Sequence, residues 1–239
     1  KWIADELHPI VIDTASNIDF FPLRLVRQNQ SISISGSLHN QEKDELKIEF
    51  KNFELHQLNP LLVDNSIQLK GTLNGQLVWH QTLKKSIISS NIKIKDLYLN
   101  KHFIGNTKLY TAYQPLNKSL YLQGNLSYDY SNILETEGNT QLKYLTFEGI
   151  YYTAKKDSSL DIEIEANPFN LAILNPILKD IMTIDYAFLY GKGKIQGTPE
   201  KPLISGEFKL TDSKIKTDYL NTYHKIVGKI DVMPDQIRF

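Results

Sequence analysis

The 239-residue sequence has no cysteine, no surplus of either charge and no long apolar run. Without thiols there are no disulfides, no thiolate nucleophile and no Cys-ligated metal. The compartment stays open, because a core of this size needs no disulfide. The 27 Lys and Arg cancel the 27 Asp and Glu to a net charge of +0. The basic excess of a nucleic-acid binder is therefore missing, and no nucleic-acid partner is expected. No stretch is long and apolar enough to cross a bilayer as a helix. No basic segment leads into an apolar one, so a signal peptide is not seen.

Chemistry is equally sparse. His8, His39, His56, His80, His102 and His224 lie at least 17 residues apart, so none pair at the i, i+4 spacing of a helical metal site. No Gly-x-Ser-x-Gly elbow occurs. The run Gly191-Lys192-Gly193-Lys194-Ile195-Gln196-Gly197 has one residue too many for a dinucleotide fingerprint and reads as hairpin glycines. Asp161, Glu163 and Glu165 share one strand face. A carboxylate pair there would suit a glycan hydrolase, but the alternation around them favours a solvated outer face. No catalytic residue, metal or cofactor is expected, and the chain is not read as an enzyme.

What is present is a period of two. It runs through Ser31–Ser35, Glu45–Lys51, Asn91–Lys95, Ser119–Gln123, Asp161–Glu165, Glu207–Thr211 and Lys225–Asp231. Successive strand side chains point to opposite faces, so each segment has one oily and one wet face. Turn signals at Leu73-Asn74-Gly75, Pro115–Lys118, Lys156–Ser158 and Gly197–Pro202 are closely spaced, as in antiparallel meanders. The spacing predicts roughly 16 strands in a ladder on the order of 75 Å long. No Gly-, Ser- or Pro-rich linker divides the chain, and the softest boundary is near residue 155. The chain opens at Lys1 and stops at Phe239 inside a strand-like pattern, so it is read as one continuous piece, 1–239, of a longer repeat protein.

Two segments break the alternation, Phe53–Leu62 and Phe169–Leu178. Leu174, Ile177, Leu178 and Ile181 fall on one helix face. Asn59-Pro60 and Asn175-Pro176 suit an N-cap followed by Pro at the first helical position. Each segment is expected to be a short amphipathic helix that caps the sheet with Leu58, Leu61 and Leu62, or with Leu174, Ile177 and Leu178. A gating plug is the alternative. The two segments also match each other at an offset of 116. Nine of the 17 positions in 48–64 are identical to 164–180. The register persists at Gly75 and Gly191, Ser89 and Ser205, Lys93 and Lys209, and Asp96 and Asp212. Repeat units near 45–112 and 161–228 follow, each needing neighbours to cover its oily face.

The apolar face carries the functional signal. Its candidate residues are Ile32, Ile34, Leu46, Ile48, Phe50, Leu77, Trp79, Ile92, Ile94, Leu120, Leu122, Ile162, Ile164, Phe208, Leu210, Ile226 and Ile230. Two such faces pressed into a sandwich and one face curled into an open trough share the same alternation. The residues alone favour the sandwich.

The pattern Phe-x-Leu-x-x-Leu-Asn-Pro-Leu-Leu at 53–62, followed by Gly-Thr-Leu-Asn-Gly at 71–75, resembles the repeat of the TamB and AsmA-like family. The Gly-Thr-Pro-x-x-Pro turn at 197–202 and the Tyr-Leu-Asn-Thr step at 219–222 look like the C-terminal part of that family's proteins. The resemblance is good over about 160–239, fair over 45–110 and compositional elsewhere. It implies an all-β, elongated, curled antiparallel sheet of repeated units, a U-shaped groove (β-taco) with a greasy interior, and it favours the trough. It further implies a periplasmic fragment of a protein anchored in the inner membrane of a Gram-negative envelope, the fragment itself being soluble. Phospholipid acyl chains are then the expected groove ligand, carried between inner and outer membranes. The alternative it implies is a scaffold for outer-membrane protein assembly, by β-augmentation with a TamA-like barrel. Open sheet edges would also let the fragment dimerise edge to edge.

Overall fold

The computed structural model describes residues 1–6, 10–14, 17–39, 44–62, 67–81, 86–100, 102–128, 143–157, 159–175, 178 and 181–238. Among them are sixteen strands: β1 (Ile3–Glu6), β2 (Ile10–Ile12), β3 (Ile18–Arg27), β4 (Gln30–Leu38), β5 (Glu45–Glu54), β6 (Leu69–Gln81), β7 (Ser86–Leu99), β8 (His102–Gln114), β9 (Ser119–Tyr128), β10 (Lys143–Tyr152), β11 (Leu160–Asn170), β12 (Met182–Thr198), β13 (Lys201–Thr217), β14 (Thr222–His224), β15 (Gly228–Met233) and β16 (Gln236–Arg238). All belong to one antiparallel sheet, ordered β1-β3-β4 and then in sequence to β13-β15-β16, with β2 also on β3 and β14 also on β13. Fourteen strands in series make a ladder on the order of 60 Å long. Near residue 155 the sheet continues, since β10 pairs directly with β11.

Alternation explains most of the sheet, and bulges explain its bend. The register shifts between Phe50 and Phe53 in β5, Lys70 and Thr72 in β6, Ile94 and Leu97 in β7, and Ala166 and Phe169 in β11. Further shifts follow Ile184 and Ala187 in β12. Each bulge bends its strand and raises the local twist. Side by side across neighbouring strands, they fold one margin of the sheet over its apolar face.

That margin holds the core. Phe53, Leu55 and Leu73 form one buried cluster, with Trp2, Leu58 and Ile94 packed on it. Ile104, Leu126, Ala166 and Phe169 form a second, and Ile184, Ala187 and Leu210 a third. Leu171 joins both of the latter. Ile104 of β8 thus shares a cluster with Ala166 and Phe169 three strands away, because the face curls round the segment that follows β11.

The two interruptions carry short 3-10 helices, Leu55–Leu61 and Leu171–Leu174, and residues 176–177 and 179–180 of the second segment lie outside the described residues. The capping expectation is corrected. The first helix starts after Glu54 with Pro60 inside it. The second is capped by Asn170, whose side chain accepts the Ala172 N–H. Asn59 and Asn175 serve a different purpose. The Asn59 Oδ1 accepts the Leu69 N–H at 2.9 Å, and its Nδ2 donates to the Leu69 carbonyl at 3.2 Å. Asn175 does the same to Ile184, with both bonds at 2.8 Å. Each amide replaces a strand partner that Leu69 or Ile184 would otherwise lack, and pins the helix to the sheet margin. Leu58 and Leu178 pack inward, whereas Leu61 and Ile181 are exposed. Pro176 and Ile177 lie outside the described residues.

Two glycine readings change as well. Asn74-Gly75 is no turn but lies within β6. Gly191 and Gly193 are not hairpin glycines but sit in the middle of the 17-residue β12. At Gly75 (φ 123°) and Gly191 (φ 140°) an added Cβ would collide with the carbonyl oxygens of Asn91 and Glu207 on the next strand. Glycine is required there by close backbone approach. The two positions differ by the same 116, and the pairings around them repeat: Phe50 with Gly75 and Ala166 with Gly191, Phe53 with Leu73 and Phe169 with Leu189, Ile94 with Leu73 and Leu210 with Leu189.

Candidate functional site

Following directly opposed residues from strand to strand gives transverse rows on the apolar face. The central row runs Leu25-Ile32-Phe50-Gly75-Ile92-Leu109-Gly124-Phe147-Ile164-Gly193-Gly206-Val232. A second runs Leu23-Ile34-Ile48-Leu77-Ser90-Thr111-Leu122-Gly149-Ile162-Ile195-Ile204. A third, beside the helices, runs Phe53-Leu73-Ile94-Thr107-Leu126-Leu145-Ala166-Gly191-Phe208-Ile230. Leu46 faces Trp79, and Leu120 faces Tyr151, on the far side of the second row. None of these rows contains a charged residue.

The candidate wall residues fall on these rows, with Leu210 beyond Phe208 on the same strand face and Ile226 packed beside it in the third cluster. Burial grades across the sheet. Leu46, Phe208 and Leu210 are buried, Trp79 is exposed, and the other thirteen are half-buried. Phe208 and Leu210 are buried toward the helix margin and Leu46 at the opposite one, while the apolar side chains of the central and second rows are half-buried or exposed. Three hydroxyls interrupt the oil. Ser90 and Thr111 share a hydrogen bond at 3.0 Å, and Thr111 also donates to the Ile88 carbonyl at 3.1 Å. The Thr107 hydroxyl, between Ile94 and Leu126, has no hydrogen-bond partner among the described residues.

Leu109, Leu126, Leu145, Phe147 and Ile195 belong to the same rows and were not singled out in the sequence. Their strands alternate through Gly or Thr, as in Thr107-Lys108-Leu109-Tyr110-Thr111 and Gly191-Lys192-Gly193-Lys194-Ile195, so hydrophobicity alone underscores them. For Leu109 and Ile195 the lysines on the opposite parity are the signal that would have found them.

The opposite face is ionic. Lys194 bonds Glu163 at 3.0 Å and Lys192 bonds Glu165 at 3.4 Å, each pair directly opposed in the register. The Glu163 carboxylate, together with Asp161, raises the Lys194 pKa. The Tyr121 hydroxyl donates to Glu148 at 2.7 Å, and that bond pushes its pKa up. The carboxylates near Glu163 are thus tied to lysines on a wet face. This face also borders a recess of about 1190 Å³, flanked by outward residues such as Lys108, Gln123, Glu165 and Lys192. A second, about 660 Å³, adjoins it at Asn91 and Lys93. Residues of the central row, among them Ile92, Leu109, Phe147 and Ile164, line the first recess as well.

Comparison with known proteins is consistent with this architecture. No curated protein and no solved structure matches the chain. A family described as TamB, N-terminal domain, matches residues 17–210. That corrects the expected C-terminal placement. The Gly-Thr-Pro-x-x-Pro motif forms the β12–β13 hairpin, a turn that any pair of long antiparallel strands can use, and so it does not locate a segment within a repeat protein. Most of the sheet described above lies inside the matched span, and the chain belongs to the TamB family, through its N-terminal domain.

Proposed function

We propose that the chain is a groove segment of a periplasmic bridge that carries phospholipids between the inner and outer membranes. It would be built from two units of about 45–112 and 161–228. The observation that carries this reading is the pair of charge-free transverse rows, central and second, whose apolar side chains stay half-buried or exposed from β3 to β13. Acyl chains laid along the rows gain about 0.8 kcal/mol per buried CH2. Every position along a row offers similar contact, so sliding costs little and leaving costs much. Headgroups stay at the open margin, away from the helices. No catalytic step is needed.

The test is a charge in the open part of the wall. Leu122→Asp and Ile48→Asp should leave the sheet folded by circular dichroism. They should abolish phospholipid co-purification, seen by native mass spectrometry, and lipid transfer between vesicles. Folded variants that transfer lipid at the wild-type rate would overturn the conduit.

A second reading rests on the ends of the sheet. The series closes on strands of four and three residues, β1 and β16, each with one side unpaired among the described residues. Such edges accept a further strand, as a scaffold for outer-membrane proteins working with a TamA-like barrel would require. Crosslinks from Ile3 to a barrel strand, with wall charges harmless, would favour this reading over the conduit.

A further inference from the structure

The lysines of the ionic face divide into two kinds. Lys192, Lys194, Lys47 and Lys214 each hold a carboxylate. Lys51, Lys93 and Lys108 hold none among the described residues, although all three are exposed. Lys93 and Lys108 are directly opposed on β7 and β8, an arrangement that brings like charges to cross-strand contact and destabilises a sheet. They also stand where the two recesses meet. Lys93 lines both, Lys108 the larger and Lys51 the smaller. Amides flank the pair, with Asn74 opposite Lys93 and Asn125 opposite Lys108. Of the acidic groups further along the larger recess, Glu163 and Glu165 are engaged by lysines and Glu148 by Tyr121, while Glu207 lies at its far end, on β13.

We propose that this junction is a phosphate-binding site on the face opposite the apolar wall. A phosphate placed between Lys93 and Lys108 removes their repulsion, takes a charge-assisted bond from each ammonium and reaches the Asn125 or Asn74 amide. Lys51 supplies a third cation from the adjoining recess. The shared chemistry is a phosphate mono- or diester, either on a soluble polymer or on headgroups at a membrane surface. The site is separate from the acyl groove, so it stands or falls independently of the conduit.

The experiment uses the whole chain and two probes: pyrophosphate followed by calorimetry, and phosphatidylcholine vesicles with and without phosphatidylglycerol followed by co-sedimentation. Saturable binding of either probe supports the site. Pyrophosphate alone assigns a soluble ligand, and anionic vesicles alone assign a membrane surface. The double variant Lys93→Ala/Lys108→Ala should weaken whichever binding is seen by about tenfold or more. Lys192→Ala/Lys194→Ala, in the same recess, should leave it nearly unchanged. Pyrophosphate should raise the melting temperature of the wild type and not of the Lys93/Lys108 variant. That variant should melt no lower than wild type without ligand, because a repulsion has gone. Neither probe binding, or equal losses in the two double variants, would overturn the proposal.

Discussion

At the scale of single residues, the two repeated asparagines carry more than their short helices suggest. Ile184 is 3% exposed, and its N–H and carbonyl are both satisfied by the Asn175 amide. Asn175→Ala strands two buried backbone groups, so urea unfolding should show a loss of about 2–4 kcal/mol. Asn175→Asp keeps the acceptor but places a carboxylate beside the Ile184 carbonyl, and should recover only part of it. A loss within error for Asn175→Ala would remove the asparagine from this role. Tyr121 gives a pH signature. Its hydroxyl bond to Glu148 raises its pKa above the ordinary value, so the neutral phenol is the favoured form. The stabilisation is full below the unfolded tyrosine pKa, about 10, and is lost as pH rises through the folded value. Phenolate absorbance should rise at lower pH in Glu148→Gln than in wild type, and superimposable curves would refute the link.

At the scale of elements, the sheet has a sealed margin and an open one. Phe169 is 6% exposed within the second cluster, so Phe169→Ala should cost about 3–5 kcal/mol by denaturant unfolding. Leu122 is half-buried on the second row, and Leu122→Ala should cost under about 2 kcal/mol. Equal costs would mean that the wall is packed throughout. This contrast also marks what the sequence could and could not convey. The parity of Ile32, Ile48, Ile92 and Ile164 was legible, because a one-residue slip would turn a whole strand inside out. The bulge at residues 51–52 was not, since nothing local distinguishes Lys51-Asn52 from a regular pair, whereas the one at 167–168 carried a signal in Pro168, which a central strand tolerates only at a bulge. Without the bulges, the curl of the helix margin could not be foreseen, nor the service of Asn59 and Asn175 to another strand. The recess bordering the ionic face was also hidden, because it comes from the twist of many strands together. Glycines misled for a related reason. Gly75 and Gly191 look like turns in isolation, and only the neighbouring carbonyls show why they stand in mid-strand.

At the scale of the whole molecule, each main strand from β3 to β13 pairs with its neighbours in sequence. The two ends of the series are its weakest points. Sedimentation velocity at rising concentration should show a reversible dimer formed edge to edge. Ile3→Lys, on an exposed residue of the first edge strand, should abolish it if that edge takes part. A dimer untouched by Ile3→Lys would put the contact at β16 or on an exposed face. The offset of 116 carries β5 onto β11, β6 onto β12 and β7 onto β13, a step of six strands. Six is even, so the chain runs the same way in both copies and both short helices arrive at the same border. Growth by whole hairpins therefore lengthens such a ladder and keeps its oil on one side. An odd increment would reverse the chain direction and send the next helix to the opposite rim, closing the margin through which a lipid would have to pass.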